Sequence, residues 1–409
     1  MKPPRAISRT LCALLVCCFL PCSAVHGQQD VVTIGFVGDF SDASKSYTEN
    51  MYDAFEMAID EINAAGGVCG KSVRILCEDG SNDPQRHREL VENLTEEQHV
   101  AAVFGGASSP CVLEASEICR QRQIPYLVSI GNSQSIVAEH GHPYVVLLEP
   151  SSWMESKGFS IFLTLMPWKR YAWVGPDYTW GHEVLGNFKH HFGEIGASVE
   201  WTTEAWHQVG TTDFSAIINQ VMQGNPEALV IGSWGEDARL FALEAKQHSL
   251  FDKMAVYAWF TYEVNGEMGN WLPQGTWILS RGPFNHLAEK NPLARRFVDA
   301  FVERYQSYPN GFTVCCYDSV LAWRQAVEKA GSTEPVAVAN ALRGLEFDSL
   351  RGRRRIRAVD GQMDCPAYFG RLGKVPEYPY PVLQSVMEIP AAKTWLSEQE
   401  VLERRGRSG

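Results

Sequence analysis

Two adjacent serines followed by a proline, Ser108-Ser109-Pro110, come shortly after a short apolar strand predicted at 101–104. A serine before a proline fits the N-cap position of a helix that begins with proline, so Ser109 is predicted to cap the next helix. Its hydroxyl and the backbone N–H groups at the positive helix end could also hold an anion or a carbonyl oxygen. Ser108 and Ser109 are therefore candidate ligand-binding residues, and capping and binding are compatible roles for Ser109.

Polar residues also follow the next predicted strand, at 125–130, in the segment Ser129-Ile130-Gly131-Asn132. The Asn132 amide can both donate and accept hydrogen bonds, which suits recognition of a small polar ligand. Asparagine beside glycine is equally typical of a plain turn. Ile130 and Asn132 are candidate ligand contacts, with the turn as the alternative.

Aromatic residues follow the predicted strands of the second half of the chain. Tyr178, Trp180, Trp234 and the Trp259-Phe260 pair each lie in such a loop. A lone tryptophan is usually a core residue, but Trp234 stands in a polar segment between serine and glycine. Several rings at one cleft would form a flat wall suited to a planar or apolar ligand. Tyr178, Trp180, Trp234 and Phe260 are therefore candidate ligand contacts.

Enzyme chemistry has little support among these residues. The serines after the third strand lack the Gly-x-Ser-x-Gly pattern of a hydrolase, and no Walker loop is present. His190 and His191 are neighbours on a predicted helix and are expected to point in different directions, unlike histidines four apart. Asp39, Asp79 and Asp83 lie near strand ends, where carboxylates also cap helices and solvate loops. We expect no catalysis, no cofactor and no metal.

These residues need a scaffold that brings strand ends together. Strands are predicted at 31–37, 72–77, 101–104, 125–130 and 144–148, and again at 170–175, 198–202, 228–232 and 275–279. Amphipathic helices with apolar residues at helical spacing separate most of them. This alternation predicts an α/β protein with parallel, doubly wound sheets in two similar lobes. Ligands bind at the carboxyl ends of the strands in such sheets.

Composition and hydrophobic pattern divide the chain into a signal segment, two lobes and a tail. Residues 1–27 are predicted to be a secretory signal peptide, since basic residues precede a short apolar run. Lobe 1 is assigned to residues 28–149 with 284–350. Lobe 2 and the crossovers between the lobes are assigned to 150–283 with 351–390. Residues 391–409 are expected to be a frayed tail. No later stretch is long and apolar enough to insert directly into a membrane.

Charge and cysteine content narrow the possible partners. The net charge of −12 includes three basic and no acidic residues before Gln28, so the exported chain carries about −15. This argues against nucleic acid and an anionic membrane surface. Seven cysteines lie outside the signal segment, and an odd number requires a free thiol or an intermolecular bond. Cys77 could pair with Cys111 or Cys69. Arg351 and residues 353–355 are expected to form a solvated basic run, with the alternative that one of them approaches an acid ligand.

The order and spacing of several short motifs give the chain a resemblance to a known family. The motifs are Ile34-Gly-x-x-Gly38, Ile62-Asn-Ala-Ala-Gly-Gly-Val-x-Gly70, Asp79 with Asp83-Pro84, Val103-Phe-Gly-Gly-Ala-Ser-Ser109, Gly175-Pro-Asp-Tyr-x-Trp-Gly181, Asp213-Phe214 and Gly344-Leu-Glu-Phe-Asp348. Together they resemble the periplasmic solute-binding proteins of ABC importers, of the branched-chain amino-acid type. The resemblance covers nearly all of the exported chain. It implies the type I periplasmic binding fold, in which two Rossmann-like lobes are joined by a three-strand hinge and close on a ligand.

The same resemblance implies roles for single residues. Ser109 matches a family serine that binds a ligand carboxylate. Ile130 and Asn132 match positions that supply a backbone carbonyl and a side-chain hydroxyl. Tyr47 matches an aromatic residue that covers the ligand, although by itself it could be an exposed loop tyrosine.

One departure from the family concerns the ligand. Phe260 stands where the amino-acid binders of this family have an acidic residue that pairs with the ligand ammonium. A desolvated ammonium without a counter-charge costs several kcal/mol. Either Glu263, Asp177 or Asp318 supplies this charge, or the ligand has no ammonium. The second alternative is favoured, and an amide, a urea-like molecule or an aromatic carboxylate would then fit.

The sequence thus predicts a monomeric periplasmic receptor that captures a small amino-acid-like, amide-like or aromatic-acid ligand. The family implies ABC permease subunits with cytoplasmic ATPases as its partners. The alternative is a periplasmic sensor that uses the same cleft to signal to a membrane or regulatory partner.

Overall fold

The protein is described here by a computed structural model covering residues 30–40, 45–106, 108–259 and 269–407. The predicted signal segment, Phe260 and Glu263 lie outside these residues. The described part forms two α/β lobes, each built on a sheet dominated by parallel strands. The predicted fold class is confirmed in this respect.

The sheet of lobe 1 contains five parallel strands in the order β2-β1-β3-β4-β5. They are β1 (Val31–Gly38), β2 (Ser72–Asp79), β3 (Val103–Gly105), β4 (Tyr126–Val128) and β5 (Val145–Leu147). Three helices connect them: α1 (Lys45–Ala64), α2 (Pro84–Glu96) and α3 (Ser109–Arg122). Met51, Ala54 and Phe55 lie on the buried stripe of α1, as the helical spacing predicts. Asp83 caps α2 by accepting a hydrogen bond from the Arg86 N–H.

Lobe 2 repeats this topology. Its parallel strands are β6 (Arg170–Pro176), β7 (Glu200–His207), β8 (Ala228–Ile231), β9 (Ala255–Trp259) and β10 (Trp277–Ser280), in the order β7-β6-β8-β9-β10. Its helices are α4 (Ser152–Leu163), α5 (Thr179–Ile195), α6 (Ser215–Gly224) and α7 (Gly235–Gln247). In both lobes the strand order reverses after the first strand, between β1 and β3 and between β6 and β8. Such reversal points open a crevice at the carboxyl ends of the strands.

After β10 the chain forms α8 (Phe284–Lys290), whose Asn285 side chain donates to the Leu383 carbonyl of lobe 2 at 2.8 Å. It then returns to lobe 1 and forms α9 (Pro292–Tyr305), α10 (Gly311–Ala330), α11 (Pro335–Leu342) and a hairpin of β11 (Glu346–Ser349) with β12 (Gly352–Arg355). The Tyr317 hydroxyl of α10 donates to the Glu61 carboxylate of α1 at 2.5 Å. Arg304 of α9 pairs with Asp60 of α1 at 2.7 Å. These contacts attach the returning helices to lobe 1.

Two antiparallel strands then complete the sheet of lobe 2. They are β13 (Ala367–Gly373), which pairs with β10, and β14 (Val382–Ile389) at the sheet edge. The chain therefore passes between the lobes three times, after β5, after β10 and between β12 and β13. At the third passage, Gln362 bridges to Leu147 at the end of β5.

Buried ion pairs hold these passages together. The Arg281 guanidinium contacts the Glu149 carboxylate and, at 2.8 Å, the Glu155 carboxylate. Arg351 pairs with Asp318 at 2.9 Å and donates to the Leu148 carbonyl at 2.6 Å. The expectation that Arg351 belongs to a solvated run is wrong, because its side chain alone turns inward to a buried carboxylate.

The end of the chain is also ordered. The expectation of a frayed tail is wrong for α12 (Glu398–Arg407), in which Val401 is fully buried. Arg405 donates to the Val137 carbonyl of lobe 1 at 2.9 Å. The Arg404 guanidinium lies 4.6 Å above the Trp153 ring of lobe 2. The basic residues fix the helix because they donate hydrogen bonds to backbone carbonyls and cover an indole face.

The seven cysteines of the described residues are all free thiols. The suggested Cys77 pairings with Cys111 or Cys69 are therefore not formed. None of the helices in the described residues is both long enough and apolar enough to cross a bilayer.

Candidate functional site

A cavity lies between the lobes, at the two points where the strand order reverses. Its lining residues are Tyr47, Asn82, Ser108, Ser109, Ile130, Gly131, Asn132, Tyr178, Trp180, Trp234, Arg281 and Phe312. Eight of the nine candidate ligand contacts are among them. The ninth, Phe260, lies outside the described residues. The structure thus brings these eight side chains together, and their contact with a ligand stays a prediction.

The two serines lie at the N-terminus of α3, one position away from the predicted register. Ser108 is the N-cap residue and Ser109 is the first residue of the helix, so the assignment of Ser109 as the cap is wrong. Pro110 is tolerated as the second residue because its missing N–H would have no intrahelical acceptor. Ser108 makes no side-chain capping bond; its hydroxyl donates to the Cys111 sulfur at 3.2 Å. The first-turn N–H groups of α3 are therefore not capped by this side chain.

Close backbone packing shapes the cavity floor beside these serines. Gly106 has a φ of +119°, and a Cβ at this residue would lie 2.2 Å from the Ile130 carbonyl oxygen. Only glycine allows the loops after β3 and β4 to approach this closely. The Ser109 hydroxyl accepts a hydrogen bond from the Ser133 N–H at 3.2 Å, which ties α3 to the loop after β4.

Aromatic rings from both lobes form the cavity walls. Tyr178 and Trp180 stack with centroids 6.1 Å apart and planes 24° apart. Trp234 meets Tyr47 of the opposite lobe edge-on at 6.4 Å, and Tyr47 packs against Phe312 at 5.5 Å. Burial raises the pKa of the Tyr178 phenol well above its usual range, so the ring carries no charge near neutral pH. Tyr47 is a buried residue of α1, and its interpretation as an exposed loop tyrosine is wrong.

The lobes are joined across the cavity by hydrogen bonds. The Trp180 indole N–H donates to the Asn132 amide oxygen at 2.9 Å. The Asn132 amide nitrogen donates to Glu155 at 2.5 Å and to the Pro150 carbonyl at 3.2 Å. Asn132 therefore lines the cavity while its amide already holds the two lobes together. Such contacts define a closed arrangement of the lobes.

A carboxylate of α5 makes a second connection between the lobes. Glu183 accepts hydrogen bonds from the Ser133 hydroxyl at 2.8 Å and from the Gln134 N–H at 3.2 Å. Its other contact is with the Ser152 hydroxyl of lobe 2. Sequence reasoning did not identify Glu183, because its partners are brought near it only by the folded chain.

Arg281 is the one charged side chain among the described residues that line the cavity. It is buried, and its guanidinium lies 5.1 Å from the Phe312 ring centroid. Sequence reasoning missed Arg281, although it directly follows β10 as the other site residues follow their strands. Asn82 and Phe312 were missed as well, and no motif of the sequence marks either residue.

Acidic side chains are absent from the described part of the cavity lining. Asp177 is exposed and contacts the His182 imidazole at 2.8 Å. Asp318 is buried against Arg351. Neither lines the cavity, so neither is placed to meet an ammonium group there.

The site and the fold define a class: a two-lobed α/β protein with a cavity between its lobes. A family model described as "Periplasmic binding protein" matches residues 31–375. The chain belongs to this family, whose members are extracytoplasmic binding proteins rather than enzymes.

Individual relatives are distant in sequence. The chain is 23% identical over 305 residues to "Leu/Ile/Val-binding protein homolog 8" of Brucella abortus, covering 71% of this chain and 75% of the relative. It is 22% identical over 357 residues to the "Leucine-, isoleucine-, valine-, threonine-, and alanine-binding protein" of Pseudomonas aeruginosa, covering 86% and 91%.

A solved structure has the same fold. It is a solute-binding protein of an ABC transporter from Rhodopseudomonas palustris BisB5, in complex with 3,4-dihydroxybenzoic acid. The TM-score is 0.80 at 18% identity, with 88% of this chain and 98% of the other covered.

Proposed function

We propose that this chain is a periplasmic receptor of an ABC importer, which captures a small aromatic acid between its lobes and delivers it to permease subunits. Family membership supports the receptor role. The permease and its cytoplasmic ATPases are the partners that a receptor of this family requires. An amide or urea-like ligand is the nearest alternative within the same role.

The choice of an aromatic acid as the ligand rests on the residues that line the cavity. Its described lining consists of five aromatic rings, hydroxyl and amide groups and one arginine, with no carboxylate. The described lining offers a buried ammonium group no counter-charge, and a buried charge without one costs several kcal/mol. A ring between Tyr178, Trp180 and Trp234 would instead gain apolar and aromatic contacts.

The opposite end of the cavity suits a carboxylate. Ser108 and Ser109 place two hydroxyls at the N-terminus of α3, where the helix dipole favours negative charge. The solved relative with 3,4-dihydroxybenzoic acid supports the same ligand class for this fold, although its sequence is distant.

A thermal-shift comparison tests the ligand class. Benzoate, 4-hydroxybenzoate and 3,4-dihydroxybenzoate are compared with leucine and with benzylamine, which has the ring and a positive charge. A ligand that binds only the folded state raises the melting temperature. We expect the aromatic acids to raise it and benzylamine to leave it unchanged. A rise with leucine and none with the aromatic acids would replace this assignment with an amino-acid receptor.

Transport is tested in the producing cell. Deletion of the gene should abolish uptake of the radiolabelled ligand found by thermal shift, and the unaltered gene should restore it. Unchanged uptake together with a lost transcriptional response would support the sensor instead.

A further inference from the structure

Two histidines and a glutamate near the end of α5 share one small region of the lobe 2 surface. His190, His191 and Glu194 can each offer one ligand atom, and these three atoms lie within 4.8 Å of one another. His191 Nδ1 is 2.9 Å from one Glu194 carboxylate oxygen, and His190 Nε2 is 3.4 Å from the other. Adjacent histidines were expected to diverge, but the spacings of three and four residues bring both rings to Glu194.

The His191 ring is fixed by its surroundings. Its side chain is fully buried and meets the Trp153 ring edge-on at 4.3 Å. His191 Nε2 has no hydrogen-bond partner among the described residues, so Nδ1 is the nitrogen that makes polar contact, and it faces Glu194. His190 and Glu194 are 53% and 39% exposed, which leaves a path from solvent.

We propose that His190, His191 and Glu194 bind one divalent cation of borderline softness, such as Zn²⁺. Two imidazole nitrogens and one carboxylate oxygen are typical ligands of this cation, and water would complete its coordination. Bonds of about 2.0–2.2 Å require ligand atoms about 3.3 Å apart. Rotation of the exposed His190 and Glu194 side chains brings the three atoms together. Ca²⁺ and Mg²⁺ are excluded because they prefer oxygen ligands alone.

One neighbouring cation competes for this position. Lys157 of α4 places its ammonium 3.6 Å from the Glu194 carboxylate. A metal ion bound to Glu194 would be repelled by the Lys157 ammonium beside the same carboxylate. Removal of the lysine charge should therefore strengthen metal binding, whereas a site formed by chance contact with histidine alone would not respond.

Isothermal titration of the untagged chain with Zn²⁺ tests the site. We expect one high-affinity equivalent, weakened about tenfold or more by His190→Ala and by Glu194→Gln, and strengthened severalfold by Lys157→Gln. His182→Ala is the matched control, because His182 is also exposed on α5 and lies beside the Asp177 carboxylate and the Trp206 ring. This variant should bind Zn²⁺ like the unaltered chain.

The opposite pattern overturns the proposal. Absence of one tight equivalent in the unaltered chain rejects the site. So does equal affinity in His190→Ala, Glu194→Gln and the unaltered chain. Circular dichroism of each variant separates a lost ligand from a lost fold, and both altered positions are exposed enough to be changed without opening the core.

Discussion

The Glu183 carboxylate of lobe 2 accepts a hydrogen bond from the Ser133 hydroxyl of lobe 1 at 2.8 Å, across the gap between the lobes. The same carboxylate accepts from the Gln134 N–H, so one side chain of α5 holds two groups of the opposite lobe. These bonds exist only when the lobes are closed. Glu183 therefore contributes to the closed state without lining the cavity.

Glu183→Gln keeps the size of this side chain and removes its charge. We expect ligand affinity to fall about three- to tenfold, because roughly 1 kcal/mol of closed-state stabilisation is lost. Titration calorimetry measures the affinity, and small-angle X-ray scattering should show a larger radius of gyration without ligand. Glu200→Gln, an exposed change at the start of β7, is the control. If Glu183→Gln and Glu200→Gln bind the ligand with equal affinity, Glu183 does not favour closure.

Ser109→Ala tests the N-terminus of α3 as the carboxylate-binding end. Loss of a hydrogen bond to a charged group should weaken binding of the aromatic acid by about 1–3 kcal/mol. Calorimetry with the ligand identified by thermal shift measures this change. Ser307→Ala, at an exposed position of lobe 1, should leave the affinity unaltered. If both variants bind like the original chain, Ser109 does not contact the ligand.

Trp234→Ala tests the aromatic wall. We expect it to weaken binding of ring-containing ligands more than binding of small polar amides, since the lost contact is with the ring. Trp234→Phe, which keeps an aromatic surface, should recover part of the affinity. The measurement is the ratio of dissociation constants for an aromatic acid and an amide. A constant ratio across the three proteins would contradict the wall.

His142 makes the stability of lobe 1 sensitive to acid. Burial, and then the nearby Arg343 charge, lower its pKa from 6.5 to about 4. Its Nε2 contacts the Ser116 hydroxyl at 2.8 Å, and its Nδ1 accepts from the Tyr144 N–H at 3.2 Å, which suits a neutral ring. Protonation is easier in the unfolded chain, so stability falls as the pH decreases from 6.5 to 4. The full effect is about 3 kcal/mol.

Urea unfolding at pH 7 and at pH 4.5 measures this effect in the original chain and in His142→Gln. The variant lacks the titrating ring, so its stability should decrease less on acidification. The difference between the two proteins should therefore shrink by about 2 kcal/mol at the lower pH. An unchanged difference would mean that His142 does not titrate in this range.

Most of the scaffold could be predicted from local patterns. The apolar stripe of α1 and the strands that alternate with helices are signals carried by neighbouring residues, and the structure has the parallel sheets they indicate. The edge strand β14 was not predicted. Its Gln384 is exposed and Ser385 has a φ of +51°, so it lacks a regular alternation of buried and exposed residues.

Most of the candidate site could also be predicted, because its residues come after predicted strands. Trp234 lies just after a strand and Tyr47 lies in the helix that follows one, and parallel sheets bring such strand ends together. Arg281 also follows a predicted strand but was missed, because its burial depends on carboxylates 126 and 132 residues away in sequence. Arg351 misled for the same reason. Arg353 and Arg355 of the same run are exposed, whereas the partner of Arg351 is Asp318, which is distant in sequence.

The three passages between the lobes determine how this protein can be divided in the laboratory. Each half is assembled from separate stretches of the gene product, so a recombinant fragment of residues 30–148 would leave α1 without α9 and α10, which cover it. Simple truncation therefore yields neither half intact. An isolated half needs a re-spliced coding sequence that joins the early and late segments.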